Sequence, residues 1–291
     1  MILLTMHEKK PNKLGHASIE YKPTGSILTK ASGFMSGYDF TLNPYSGCSF
    51  GCTYCYAAFF ARDLARQDSW GDWVIVKDNA LEKLKNMRTP LEGKKIYMSS
   101  VTDPYQPIER QLEMVRGLLE VLLEKNVLLV VQTRGSLVVR DIDLLKKFGK
   151  NVQVNMTVTT DSDSVRRAFE PHCLNNKKRI EAITKICSEG IPSLITMTPL
   201  LPVENPEKFA ADLAATGIKK FVAQPFHAQK GRFVASTRDN ALKISNDMKW
   251  TSESYKKTLE ILRANLPEVI EGQEGFAPPP FQESSLPLFE E

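Results

Sequence analysis

The chain contains no run of about 18 apolar residues, the shortest stretch that reads as a membrane-spanning helix. Its start, MILLTMHEKKPNKLGH, lacks the ordered basic, apolar and cleavage regions of a secretory signal. A cytoplasmic location with no membrane partner is therefore the expectation. Cysteine is scarce: there are 5 among 291 residues, three of them crowded between positions 48 and 55, with Cys173 and Cys187 far away. This pattern argues against a dispersed disulfide framework and for metal binding or catalysis. Charge of one sign is also lacking. A net charge of +4 permits an anionic partner without demanding one. No internal repeat stands out.

What remains is ordinary for a globular chain, with 42% hydrophobic and 25% charged residues and length enough for one large α/β domain. Apolar, β-branched segments alternate with amphipathic ones. Strands are expected at 39–43, 95–100, 127–132, 152–159, 193–198 and 221–224, with a short extra strand at 70–76. Helices are expected at 56–66, 80–88, 109–125, 141–148, 177–189, 207–216 and 252–266. About six βα units predict a parallel sheet in an open three-quarter barrel, a partial (βα)6 TIM-like fold. Its functional groups belong where strands end and βα loops begin. The expected division is an N-terminal extension at 1–37, the barrel at 38–271, and a Pro- and Glu-rich flexible tail at 272–291.

The most informative segment is Asn43-Pro-Tyr-Ser-Gly-Cys48-Ser-Phe-Gly-Cys52-Thr-Tyr-Cys55-Tyr. Three thiolates at C-x3-C-x2-C spacing suit an iron–sulfur cluster or zinc. Zinc commonly wants four ligands in two pairs, and no CxxC or HxxxH partner lies elsewhere in the chain. Ordinary 4Fe–4S carriers use four cysteines, so three leave one iron open. Gly47 and Gly51 let the backbone run close to the sulfides.

With Tyr54 as the aromatic residue before the last cysteine, the segment resembles the CxxxCxφC signature of the radical S-adenosylmethionine superfamily. The resemblance narrows to the spore photoproduct lyase-like branch over residues 42–200. It is carried by Tyr54-Cys55-Tyr56, Ser100-Val-Thr-Asp103-Pro-Tyr-Gln-Pro, Thr133-Arg134, Phe169-Glu-Pro171 and Lys178-Arg-Ile-Glu-Ala182. It implies a radical SAM-type barrel, with a 4Fe–4S cluster on Cys48, Cys52 and Cys55 and S-adenosyl-L-methionine on the open iron. It further implies reductive cleavage to a 5′-deoxyadenosyl radical that abstracts hydrogen from a substrate. A reductant such as a flavodoxin or ferredoxin is the implied partner. Tyr54, Thr102, Asp103, Arg134, Thr157 and Arg179 are the implied cofactor contacts, and Tyr56 matches the lyase's relay tyrosine.

The pattern breaks at Ser100, where the lyase has the cysteine that returns a hydrogen to the product radical. A serine O–H bond is too strong for that role, which puts the lyase's own repair reaction in doubt and leaves a lyase, repair or modification type of radical enzyme as the expectation. Cys173, in the loop after the fourth strand, is the candidate substitute. Asn155, Thr157 and Thr159 alternate and should share one face. Cys187 reads as helix packing. His172, Gln224 and His227 follow strands and are candidate substrate contacts. Lys230, Arg232, Phe233 and Arg238 form a basic and aromatic loop suited to phosphate and base. The tail motif Gln282-Glu-Ser-Ser-Leu286-Pro-Leu288-Phe289 resembles sliding-clamp peptides. Three classes stay open: a radical enzyme on nucleic acid, one on a small molecule or peptide, and a non-enzymatic iron–sulfur or zinc protein.

Overall fold

A computed structural model describes residues 10–227 and 236–283. Three strands come first, β1 (Lys13–Leu14), β2 (Ala17–Lys22) and β3 (Leu28–Lys30). β4 (Phe40–Leu42) runs into the cysteine loop, which β5 (Tyr45–Ser46) and β6 (Trp73–Lys77) bracket. Then follow β7 (Lys95–Met98), β8 (Leu128–Thr133), β9 (Val152–Thr157), β10 (Ser193–Met197), β11 (Phe221–Ala223) and β12 (Val269–Glu271).

Eight strands form one sheet in the order β12-β11-β10-β9-β8-β7-β4-β3. Every pair from β4 to β12 is parallel, and β3 closes the edge antiparallel to β4. The open (βα) barrel expected from the sequence is present, with β12 added as a further parallel strand. Alternate residues explain its stability. Ile96, Met98, Leu129, Val131, Val154, Met156, Ile195 and Met197 pack into the main core, shared with helices such as Met114–Glu124. The intervening Tyr97, Leu128, Val130, Leu194 and Val222 point to the other face and form a second apolar cluster. Burial on both faces is why these strands read as continuous apolar runs.

Several boundaries differ from expectation, each for a local reason. The helix expected at 109–125 is two helices, Glu109–Leu112 and Met114–Glu124, joined at Glu113 with φ +48°. The buried Glu109 carboxylate accepts the Val115 N–H at 3.0 Å and so caps the second helix. It also accepts from Arg140 at 2.7 Å and from Tyr45. The helix expected at 56–66 is a 3-10 turn, Tyr56–Phe60, and a short helix, Leu64–Asp68, whose N-cap Asp63 accepts the Arg66 N–H at 2.8 Å. Helices Asp163–Phe169 and Asp239–Asp247 were not expected. β9 stops at Thr157, so Thr159 lies beyond it.

The chain ends also differ. The stretch before residue 38 is not a separate extension among the described residues. It supplies β3 to the main sheet and β1 and β2 to a second sheet of order β1-β2-β6-β5 beside the cysteine loop. Residues 272–283 are packed rather than loose. Phe276 is buried with Tyr38, Tyr97, Leu128, Val130, Leu194 and Val222. Tyr38 Oη donates to the Phe276 carbonyl at 2.8 Å, and Gln282 N donates to Asn151 Oδ1 at 2.8 Å. A segment without helical or strand period thus plugs the barrel near the N-terminal ends of its strands. The Phe276→Ala variant is expected to lose about 3 kcal/mol of stability, read as a lower urea midpoint. Leu286, Leu288 and Phe289 lie outside the described residues. Among the described residues no helix is long and apolar enough to cross a membrane.

Candidate active site

The cysteine loop leaves β4 at the C-terminal end of the sheet and turns sharply at glycines. Gly47 has φ +78°, and a Cβ there would stand 2.5 Å from the Trp73 carbonyl oxygen. Gly51 has φ +60° and touches Gly71, where a Cβ would lie 2.9 Å from the Gly51 Cα. The glycines therefore serve backbone conformation and close packing against β6 and its approach. Gly47→Ala is expected to cost about 1–3 kcal/mol and to lower iron loading, checked by melting and by iron content after reconstitution.

Two straps hold the loop. The first comes from the segment after β7. Thr102 Oγ1 donates to the Gly47 carbonyl at 2.7 Å, and Gln106 Oε1 accepts the Ser49 N–H at 2.9 Å. The second is the turn after helix Asp163–Phe169. The Phe169 carbonyl accepts Thr53 N–H at 2.8 Å and Thr53 Oγ1 at 3.2 Å, while Tyr54 Oη donates to Glu170 Oε1 at 2.5 Å. The loop is thereby clamped over the barrel end.

Glu170 organises the floor. It is fully buried and accepts from Tyr54, from Thr159 Oγ1 at 3.0 Å, from Arg134 Nη1 at 3.2 Å and from Arg179 Nη2. Burial alone would raise its carboxyl, but Arg179 and Arg134 beside it outweigh that and hold it down at about 2. Arg179 is fully buried and also donates to the carbonyls of Leu174 and Thr157. Its Nε has no partner among the described residues. Arg134 Nη1 reaches Cys52 Sγ at 2.9 Å. In the sequence Glu170 is legible only as the middle residue of Phe169-Glu-Pro171. Its signal was faint, a lone acidic residue in a loop.

The predicted residues separate into groups. Cys48, Cys52, Tyr54, Arg134, Arg179 and Cys173 come together around the loop, with Cys52 Sγ 3.8 Å from Cys173 Sγ. Thr102 acts as a strap. Asp103 is buried and its carboxylate is already engaged by Thr133 Oγ1 at 2.6 Å, Arg134 N at 2.8 Å and Tyr105 N at 2.9 Å. It fixes the turn that carries Arg134. Thr157 faces a polar layer deeper in the barrel, bonded to Gln132 Nε2 at 2.8 Å and Thr196 Oγ1 at 3.0 Å. Asn155 shares that region, and its Nδ2 lacks a partner among the described residues. Tyr56 is exposed, donates to the Ser100 carbonyl and meets Phe60 edge-on at 6.2 Å.

His172 stacks on His16 with centroids 3.6 Å apart and lies against the cysteine loop, where a Cβ on Gly51 would stand 3.1 Å from its Cδ2. Others lie apart. His227 is exposed and pairs through its backbone with Thr237. Gln224 pairs through its N–H with the Met197 carbonyl, and Arg238 donates to the Gln67 carbonyl at 2.9 Å. Lys230, Arg232 and Phe233 lie outside the described residues. Cys187 packs against the main core as expected.

The donor set fits a thiolate-bound cluster by its chemistry. All three thiols are free, on one clamped loop, among apolar and aromatic neighbours that limit water. Burial pushes the Cys48 thiol up and the Cys55 thiol up to about 11. Burial would raise Cys52 too, but the Cys173 hydrogen bond and Arg134 reverse the shift downward. Cys52 is turned toward those two groups. Among the described residues no three His, Cys, Asp or Glu side chains stand together as a metal-holding group.

Comparison with known proteins gives a consistent picture. The profile of the Radical SAM superfamily matches residues 42–215. An uncharacterised protein of Methanocaldococcus jannaschii is 36% identical over 168 residues, covering 58% of this chain and 62% of that one. The match thus spans less than two thirds of that relative's length. An uncharacterised protein of Acidianus two-tailed virus is 28% identical over 237 residues, covering 75% of this chain and 74% of its own. A protein of Pseudomonas phage M6 named Radical SAM Nalpha-GlyT isomerase is 28% identical over 165 residues, 55% of this chain and 32% of that one. Among solved structures, spore photoproduct lyase complexed with dinucleoside spore photoproduct superimposes with a TM-score of 0.59 at 13% identity, covering 87% of this chain and 81% of that chain. At that identity the likeness is one of fold.

Proposed function

Because the chain belongs to the Radical SAM superfamily, we propose that it is a radical enzyme whose cluster ligands are Cys48, Cys52 and Cys55. The observation that carries this reading is the clamped loop itself: three thiols at superfamily spacing, strapped by Thr102, Gln106, Thr53 and Tyr54 over the barrel end. Cys48, Cys52 and Cys55 would hold a 4Fe–4S cluster, which when bound would supply the reducing electron for radical chemistry with S-adenosylmethionine.

The chain's own residues position and shield. Arg134 sits partly exposed beside Cys52 and offers a guanidinium to a carboxylate or ribose. Glu170 and Arg179 hold Arg134 and Tyr54 in place from below. The buried aromatic and apolar neighbours of the loop exclude water from the reacting centre. Electrons come from a small reductant such as a flavodoxin or ferredoxin.

For the substrate we favour nucleic acid. The exposed rings of Tyr56, Phe59 and Phe60 follow the last cysteine directly, and the exposed Arg62 adjoins them. Rings beside an arginine suit base stacking and phosphate contact. The test is anaerobic. The reconstituted protein, given dithionite and S-adenosylmethionine, is expected to release 5′-deoxyadenosine and to change its reduced-cluster EPR signal on cofactor addition. A cluster blind to the cofactor would reject the reading. A labelled single-stranded oligonucleotide is expected to bind more weakly as salt rises and when Phe59 and Phe60 are replaced by alanine. Binding indifferent to both would remove nucleic acid.

A further inference from the structure

Cys173 lies 121 residues from Cys52 in sequence, yet their sulfurs are in contact at 3.8 Å. Among the described residues no other pair of thiols makes such a contact. The approach is built by the backbone as well as by side-chain rotation. Thr53, next to Cys52, donates both its N–H and its hydroxyl to the Phe169 carbonyl. Cys173 N donates to the Glu170 carbonyl at 3.1 Å, closing the turn that carries it. The Cys173 carbonyl is in turn held by Arg166 Nη1 at 2.7 Å. Both segments are thus anchored on either side of the sulfur contact. Both cysteines are buried, with 4% and 7% exposure, so only small reagents reach them. A disulfide bond is about 2.05 Å long, and a modest rotation at either Cβ closes the remaining gap.

We infer that Cys52 and Cys173 form a reversible oxidation site: when the loop carries no cluster, a peroxide joins them as a disulfide that protects Cys52 from irreversible oxidation. The step balances. Peroxide converts one thiol to a sulfenic acid and leaves as water. The second thiol displaces the hydroxyl, which departs as another water. Two S–H bonds and the O–O bond break, and one S–S bond and two O–H bonds form. A thiol reductant reverses the change by exchange. Cys173 thereby has a task separate from hydrogen donation. The protective role rests on Cys52 being a cluster ligand, because ligation and disulfide formation compete for the same sulfur. The pairing itself does not rest on it.

The experiment uses the full-length protein without cluster, treated anaerobically with hydrogen peroxide. Non-reducing digestion and mass spectrometry are expected to yield a peptide joined through Cys52 and Cys173, lost on dithiothreitol. Iron uptake on reconstitution is expected to fall after peroxide and to return after dithiothreitol. In Cys173→Ala and the closer-sized Cys173→Ser, uptake is expected to fall and stay low, with Cys52 recovered as sulfinic or sulfonic acid. Absence of the joined peptide from the wild type overturns the site. Full recovery of uptake in both variants overturns the protection. The ligand assignment fails separately, if untreated Cys52→Ala loads a complete cluster.

Discussion

Alanine at Cys48, Cys52 or Cys55, one at a time, is expected to abolish formation of 5′-deoxyadenosine and to lower iron and sulfide content after reconstitution. Losing an outer partner of a metal ligand commonly costs about 10–100-fold, and losing the ligand itself is expected to exceed that. Each thiol sits on a loop that twelve residues or fewer tie to β4, β5 and the two straps. Each change removes one sulfur and no strap hydrogen bond from Thr102, Thr53 or Tyr54. The fold is therefore expected to persist, with far-UV circular dichroism near that of the wild type. Cys187→Ala is the matched control: Cys187 packs on the core away from the loop, so iron content should be unchanged. Full cofactor cleavage by any of the three loop variants would remove that residue from the ligand set.

Glu170→Gln is expected to produce the largest loss of stability. Glu170 is the only carboxylate touching both Arg134 and Arg179 among the described residues. Arg179 has no exposure at all, and its charge has no route to water. Glutamine keeps the size but leaves both guanidinium groups uncompensated. Removing one partner of a buried ion pair costs about 3–5 kcal/mol, read as a fall in the urea midpoint. The same group sets an acid limit. Its pKa falls from 4.5 in the unfolded chain to about 2 in the folded one. The folded state therefore binds fewer protons, and the stabilisation is complete above 4.5 and lost as pH falls toward 2. The wild type is expected to lose stability over that window, and Glu170→Gln to show a flatter profile there. Equal acid sensitivity in the two proteins would show that Glu170 does not carry this charge balance. Loss of Tyr54 and Arg134 support is also expected to lower iron retention in the variant.

Much of the molecule is legible in its sequence. The strands of the barrel are legible at 127–132, 152–159 and 193–198, because a parallel strand covered on both sides is mostly apolar and β-branched, even with Asn155 and Thr196 buried among the apolar residues. The cysteine loop is legible because its three thiols are neighbours in sequence, and spacing survives in a string of letters. Helix ends were less so. The break at Glu113 depends on a carboxylate six residues from the N–H it caps, together with Arg140 from another segment. The packed stretch around Phe276 has no period at all. It is ordered by a hole that six residues from five other segments line.

The sequence by itself determined the fold class, the family resemblance and the three thiols, since each depends on local pattern: periodicity of burial or spacing of ligands. Only the tertiary structure decided what those thiols touch. Tyr54 meets Glu170 across 116 residues, Cys52 meets Cys173 across 121, and Arg134 meets Cys52 across 82. It also decided that Thr102 straps the loop at Gly47 and that Asp103 fixes the turn carrying Arg134. A buried polar group must find a partner, and the partner's identity depends on which distant segments the closed barrel brings within hydrogen-bonding reach.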